Sequence, residues 1–418
     1  MSTIGNLRRT RAACALAAAA LLLGGCVVQD ERPQVRIPAT KATAEVPEAE
    51  LLDVGIRVFD PNIPEKTEDQ EKKRVFPDVR KAESRYMPVV LRDVLEGTGQ
   101  WGQVRVLPAE GTGMDLFVDG KILLSDGRDL KLAIKATDAT GRVWLDKEYA
   151  GTADTRAYKD VVAKPRDPFE NLYNTLANDL LEARDKLTSS QRTQIRSVSD
   201  LRFAADLAPY AFETYLAHDK KGNYTIKRLP AEGDPMMERM ERVRERDYSL
   251  VDTLNEYYGN FGDSMQDPYT NWRKYTHEAL ETETDLRRQA MTRKILGAVA
   301  VVGGVVAGSE TNSSAGSAAS TAAVLGGLYA IKSGFDMNSE IKMQGDSLKQ
   351  LGDSFQAEVQ PMVVDVEGRT LQLKGSAEEQ YAEWRRLLKE LYENETGLPA
   401  AMPSTATAQP TPARGDKP

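Results

Sequence analysis

The chain has 418 residues, with 55 Lys plus Arg against 63 Asp plus Glu and a net charge of −8. That acidic balance lacks the basic footprint of a nucleic-acid binder, and the length allows two or three domains with long helices. Two cysteines and two histidines leave little for disulfide or transition-metal chemistry.

The N-terminus reads as an export signal. Arg8, Arg9 and Arg11 form a positive region with no acid before Cys26. Residues 12–23 follow as an apolar run, about half of the ~20 residues a spanning helix needs. The run ends in Leu23-Gly24-Gly25-Cys26, which resembles the bacterial lipobox. The resemblance implies removal of residues 1–25 by cleavage between Gly25 and Cys26, diacylglycerol on the Cys26 sulfur, and acylation of the new amino group. Small residues before the cysteine fit a peptidase cleft, and the thiol supplies the nucleophile that takes the lipid. The competing reading is a plain secretory signal with an accidental cysteine, or an uncleaved anchor. Cys14 lies in the segment to be removed, so Cys26 would be the sole mature cysteine and no intrachain disulfide could form. Loss of three arginines moves the net charge to −11. Val27 and Val28 follow the cysteine and the first acid is Asp30; by resemblance to enteric sorting signals, this favours the outer membrane, facing the periplasm. Residues 26–49 carry Pro, Ala, Thr and charge without apolar periodicity, and read as a flexible tether.

Residues 50–190 read as a small α/β domain. A strand at 52–59 stops at Asp60-Pro61, and a charged loop covers 65–80. Apolar positions 87, 90, 91, 94 and 95 then predict a helix with Pro88 in its first turn. A short strand at 103–107 precedes β-rich runs at 115–124, 129–138 and 143–149, separated by Ser125-Asp126-Gly127 and Ala139-Thr140-Gly141-Arg142, good hairpin turns. A helix at 168–187 closes the unit, with Asp167 as N-cap and Pro168 at its first position.

This order of strand, helix, strand, meander and helix resembles the small α/β domain of the curli-secretion, Pel-export and penicillin-binding-protein-activator lipoproteins and of the TolB N-terminal domain. The likeness lies in residues 90–108, where a helix runs into an aromatic-containing turn and a strand, and in the Gly-turned meander of 115–151. It implies a non-enzymatic role, by oligomerising or by binding envelope partners. The long helical remainder has no counterpart in the curli channel.

From Met236 onward the pattern is helical, within a helical domain at 191–358. Val251, Leu254, Tyr258, Phe261 and Met265 make a coiled-coil-like seam, Asp267-Pro268 reads as a helix restart, and a seam at 337–359 returns. Between the arms lies an uncharged, glycine-rich tip, 295–331. Ala300, Gly304 and Gly308 recur at four-residue spacing, a glycine-zipper face on which helix backbones can approach closely. Such a tip either enters a bilayer or packs in protein, its own bundle or a self-oligomer. Its first apolar run of about 14 residues gives about 21 Å of helix, short of the ~30 Å hydrocarbon core. At 359–396 a β-hairpin around Glu367-Gly368-Arg369 precedes a helix with a Ser376–Glu379 capping box and a buried side of Tyr381, Trp384, Leu387, Leu388 and Leu391. This unit is either a separate lobe or docked back on the rest. Residues 397–418, rich in Pro, Ala and Thr, read as a disordered tail.

No catalytic set stands out. There is no Gly-x-Ser-x-Gly elbow and no phosphate-binding loop; Gly111-Thr112-Gly113 reads as a plain loop. His218, beside a turn, and His277, on a charged helix, read as solvent-facing, so no metal site and no cofactor is expected. The aromatic segment with Tyr257, Tyr258, Phe261, Tyr269, Trp272 and Tyr275 reads as helix-packing surface rather than a sugar platform. The fold expected is α+β: the α/β domain with an antiparallel-rich sheet, a long helical hairpin or bundle, and the C-terminal hairpin plus helix. The expected role is a non-enzymatic outer-membrane lipoprotein that scaffolds an envelope assembly or export system, with envelope proteins or its own copies as partners. The alternatives are an activator of a periplasmic enzyme, such as a peptidoglycan synthase, and a hydrolase using buried carboxylates.

Overall fold

The alternating runs of the first third form one five-stranded sheet: β1 (Val54–Arg57), β2 (Val104–Leu107), β3 (Leu116–Ser125), β4 (Asp129–Asp138) and β5 (Val143–Thr152), in spatial order β2-β1-β3-β4-β5. β1 is parallel to both β2 and β3, and β3, β4 and β5 make an antiparallel meander. The computed structural model describes residues 34–108, 113–158, 166–306, 346, 349–350, 362–366 and 369–396, with backbone alone at 155, 282–283, 285–306, 362–366, 369–371 and 395–396. Its contacts divide the chain between Arg36 and Ile37, and all elements named here lie on the Ile37–Pro418 side. The signal, Gly25, Cys26, Gly308, most of the glycine-rich tip and the C-terminal tail lie outside the described residues.

Parallel neighbours such as β1 and β2 need a crossover. It comes from α1 (Thr67–Lys73) and α2 (Pro77–Glu96). The stretch expected as a charged loop thus contains a helix, and α2 starts ten residues before the apolar periodicity, with Pro77 rather than Pro88 in its first turn. Pro88 sits inside the helix, where it cannot donate to the carbonyl of Ser84. That carbonyl is not orphaned, because the Phe59 amide just after β1 donates to it at 2.9 Å. A strand end from outside the helix repairs the bond that proline removes.

The meander turns are as the sequence implies: Gly127 and Gly141 hold φ of +79° and +89°. After it come α3 (Glu170–Asp185) and α4 (Ser189–Leu207), which follows a Thr188–Gln191 capping box. The helix cap at α3 is Phe169; Asp167, expected to cap, instead accepts the Phe169 amide at 2.8 Å one turn earlier. A four-residue turn, α5 (Pro209–Phe212), and a small hairpin, β6 (Leu216–His218) with β7 (Tyr224–Ile226), lead into α6 (Pro235–Val306). α6 has 72 residues and runs through Pro268 without the expected restart. Met265 and Tyr269, on either side of that proline, are both buried in one cluster with Val79, Ala82 and Tyr86 of α2. Packing on both flanks keeps the helix continuous there.

The predicted seam of Val251, Leu254, Tyr258, Phe261 and Met265 is buried throughout. It packs against the body of this same chain, in clusters shared with β2, α2 and the last helix. The returning seam lies outside the described residues apart from helical positions at 346 and 349–350. The terminal unit consists of β8 (Met362–Val366), β9 (Arg369–Leu373) and α7 (Ala377–Thr396). Ser376 and Glu379 form the expected reciprocal cap, at 2.8 and 3.2 Å. α7 docks back: Tyr381, Trp384 and Leu388 share a core with Phe203 and Leu207 of α4 and Val251 and Leu254 of α6.

Among the described residues, the two sheet edges differ in how they are covered. The β2 edge is covered by α6, whose Asn255 Oδ1 accepts the Val106 amide at 2.9 Å, while Arg105 pairs with Asp252 at 2.5 Å. The β5 edge carries exposed Asp146 and Glu148, charges that discourage unwanted strand pairing. Asn255→Leu leaves a buried amide without an acceptor and is expected to cost about 1–3 kcal/mol in urea denaturation. Asn255→Asp keeps the acceptor and should cost clearly less; equal losses would contradict this account of the edge.

Candidate functional site

Of the residues singled out for the glycine face, Ala300 and Gly304 lie on the helical backbone of α6, and Gly308 lies outside the described residues. The described polar chemistry concentrates elsewhere, in stations along α6 where it crosses the body. Such groups are costly to bury unless paired, so their partners define what the crossing does.

At the first station Arg105 of β2 pairs with Asp252, and Arg92 of α2 donates to Asn255 Oδ1 at 3.1 Å. At the second, Glu83 of α2 is 1% exposed. Its Oε1 accepts the hydroxyls of Tyr269 at 2.7 Å and Ser125 at 2.6 Å, and its Oε2 faces Arg80 Nε at 3.0 Å. Burial raises the Glu83 carboxyl above its ordinary range, opposed by Arg80 and the two hydroxyls. Three elements, α2, β3 and α6, thus meet on one carboxylate whose acceptors are all engaged.

The third station centres on Arg273, 2% exposed. Its guanidinium reaches Asp167 at 3.1 Å and lies over the Tyr269 ring, 4.2 Å from the centroid. Burial works against its charge, but Asp167 and the surrounding tyrosines outweigh that and hold its pKa well above the usual value. The β3–β4 turn touches the helix backbone here, since a Cβ on Gly127 would lie 2.4 Å from the Arg273 carbonyl oxygen. The Gly127 carbonyl accepts the Tyr158 hydroxyl at 2.7 Å, and the Tyr158 ring lies 5.5 Å from that of His277. His277 is therefore half-buried against an aromatic ring rather than solvent-facing, because the same turn that meets Arg273 brings Tyr158 over it. His218 is exposed as expected, though in strand β6, with its ring 5.8 Å from Tyr224. Tyr258, Phe261, Tyr269 and Trp272 are buried, and Tyr257 and Tyr275 partly so, consistent with packing surface.

A fourth station joins α6 to α7. Asp247 is fully buried with Arg385 at 3.6 Å, and Arg385 also pairs with Asp206 of α4. Beside it Arg244 pairs with Asp200 and donates to the Gly113 carbonyl at 2.9 Å.

Of these charged side chains the sequence singled out Asp167 alone, and as a helix cap rather than as a partner of Arg273. The available signal is a charge on an apolar helical face: Arg273 lies one turn from Tyr269 and beside Trp272, and Glu83 sits among Val79, Ala82 and Tyr86. In the second and third stations the carboxylates of Glu83 and Asp167 are spent on partners within the fold, and these contacts join α6 to the body. Among the described residues no group of three or more His, Cys, Asp or Glu is placed to hold a metal ion, and no helix is long and apolar enough to cross a membrane. No protein-family model, curated protein or solved structure matches the chain.

Proposed function

We propose that this chain is a non-enzymatic lipoprotein of the bacterial envelope, held through lipid on Cys26 in the outer membrane, and that it scaffolds an assembly or export system. The observation that carries this reading is α6. A helix of 72 residues reaches roughly 110 Å at 1.5 Å per residue, and ion pairs at Asp252 and Arg273 fasten it to the α/β body. An arm fixed at one end in this way suits holding something at a distance. The far end of the arm enters the glycine-rich segment, which we read as one side of a helical hairpin whose Ala300, Gly304 and Gly308 face packs against an envelope protein or a second copy. Glycine costs roughly 1 kcal/mol per residue in a water-exposed helix, which favours a covered tip. The resemblance read in residues 90–108 and 115–151 to the curli-secretion and Pel-export lipoproteins supports the same reading.

A photo-crosslinking residue at Val305 in the full chain, expressed in cells, tests this directly. Adducts to itself or to one envelope protein are expected. Adducts to lipid alone would replace the reading with membrane insertion, and absence of any adduct would overturn it.

A further inference from the structure

The terminal unit of β8, β9 and α7 is held to the body by side chains. Among the described residues β8 and β9 pair only with each other, and no backbone hydrogen bond runs from 362–396 to the rest of the chain. Such a unit can come away without breaking a strand ladder or a helix. Its apolar hold is nonetheless broad: Trp384, Leu388 and Tyr392 share one cluster with Phe203 of α4 and Val243 and Leu250 of α6.

Into this joint α6 sends Asp247, which is fully buried and whose two carboxylate oxygens accept no hydrogen bond in good geometry. Its ion-pair partner across the joint, Arg385 Nη1 of α7, stands 3.6 Å away. That separation is long for a charge held out of water, which needs close pairing to be tolerated. The other groups that act on the carboxyl are the Trp384 indole from α7 and Arg244 from its own helix. Both cations are shared with acids of α4. Arg385 also pairs with Asp206, which takes Lys389 as well at 3.6 Å, and the Arg385 guanidinium lies 5.1 Å from the Phe203 ring centroid. Arg244 pairs with Asp200 and donates to the Gly113 carbonyl. Burial therefore wins over the cations and pushes the Asp247 carboxyl up to about 6.

We infer that α7 is a pH-graded latch at the root of the α6 arm, closed hardest when the Asp247 carboxyl carries a proton and loosened when it ionises. The sign follows from where the proton is held. With α7 docked the carboxyl keeps its proton up to about pH 6; uncovered, it would titrate near 3.9. Closure in that window takes up a proton, so acid favours the closed joint. Two decades of difference allow the opening equilibrium to rise by up to about 100-fold from pH 4 to pH 8. Opening uncovers the apolar face around Phe203 and Leu250, and a partner that takes this face works against a weaker latch at neutral pH than in acid. The latch does not depend on the anchor at Cys26.

Hydrogen exchange of the full chain between pH 4.5 and pH 8, scaled by the intrinsic exchange rate, reads the latch. At pH 4.5 peptides within α7 should exchange at least tenfold faster than peptides within β4, which marks opening of the terminal unit alone. Equal protection of α7 and β4 there would mean that α7 leaves only with the whole fold, and would overturn the latch. From pH 4.5 to pH 8 the α7 peptides should lose protection by at least tenfold and at most about 100-fold. Asp247→Asn should hold that loss below about threefold, and a pH slope that persists in this variant assigns the titration elsewhere and sinks the proposal. Arg385→Met takes away the cation across the joint and should deepen the loss at pH 8 beyond that of the unaltered chain. No deeper loss would mean that the pair does not hold α7 down, and counts against the latch equally.

Discussion

Arg273→Ala should be the most damaging single substitution on α6, lowering stability by about 3–5 kcal/mol in urea denaturation. The pair it breaks is enclosed, with side-chain exposures of 3% for Arg273 and 13% for Asp167. Removing one partner strands the other charge at a site with little water, which costs far more than the net worth of an intact pair. The loss spreads further. Arg273 lies 4.2 Å over the Tyr269 ring, whose hydroxyl is one of the two held by Glu83, and its positive charge opposes the upward push of burial on the Glu83 carboxyl. A second change separates charge from packing. Asp167→Asn still accepts the Phe169 amide at the start of α3, so Arg273→Met with Asp167→Asn should recover at least half of the loss. A loss below about 1 kcal/mol for Arg273→Ala would mean that the third station does not fasten the arm.

The sheet was legible because strands and turns speak locally. Asp126-Gly127 and Thr140-Gly141 announce positive φ, and the residues between them alternate with the pleat. The helix errors arise where tertiary contacts override local signals. Pro88 reads as a helix start until Phe59, 29 residues earlier, is seen to take the freed carbonyl. Pro268 reads as a restart until α2 is found holding Met265 and Tyr269 on both sides of it. The Thr188–Gln191 cap of α4 was readable, but Arg, Ser and Asp dilute the apolar stripe of that helix. The polar stations escaped for a different reason. With 118 charged residues in the chain, pairing is decided by which faces meet, and Glu83 meets Tyr269 across 186 positions of sequence.

Asp247, at the contact between α6 and α7, and Asp115, just before β3, should make the protein acid-tolerant, because both carboxyls are held out of water. Burial pushes Asp247 up to about 6 against the pull of Arg385, the Trp384 indole and Arg244. Burial likewise pushes Asp115 up to about 6, opposed chiefly by its bond from the Asp53 amide, with Arg244 and Arg196 nearby. In the unfolded chain both titrate near 3.9. Between roughly pH 4 and pH 6 the folded state therefore binds more protons than the unfolded one. Stability from these groups is present in full below that window and is lost as the pH rises through it. A shift of about two units corresponds to about 3 kcal/mol for each group at neutral pH. Carboxylates with lowered values, such as Asp154 beside Arg156 and Glu383 beside Arg386, act with the opposite sign below the window, but Glu383 lies at the surface and its pair counts for little. Urea midpoints taken from pH 4 to pH 8 should thus fall between pH 4 and pH 6 and level off above. Asp247→Asn removes one of these titrations while Arg385 keeps Asp206 as its partner. The variant should match the unaltered chain near pH 4, exceed it by about 3 kcal/mol at most at pH 8, and show a shallower slope between. An unchanged slope would place the Asp247 carboxyl in contact with water, and the α6–α7 joint would then have to open in solution.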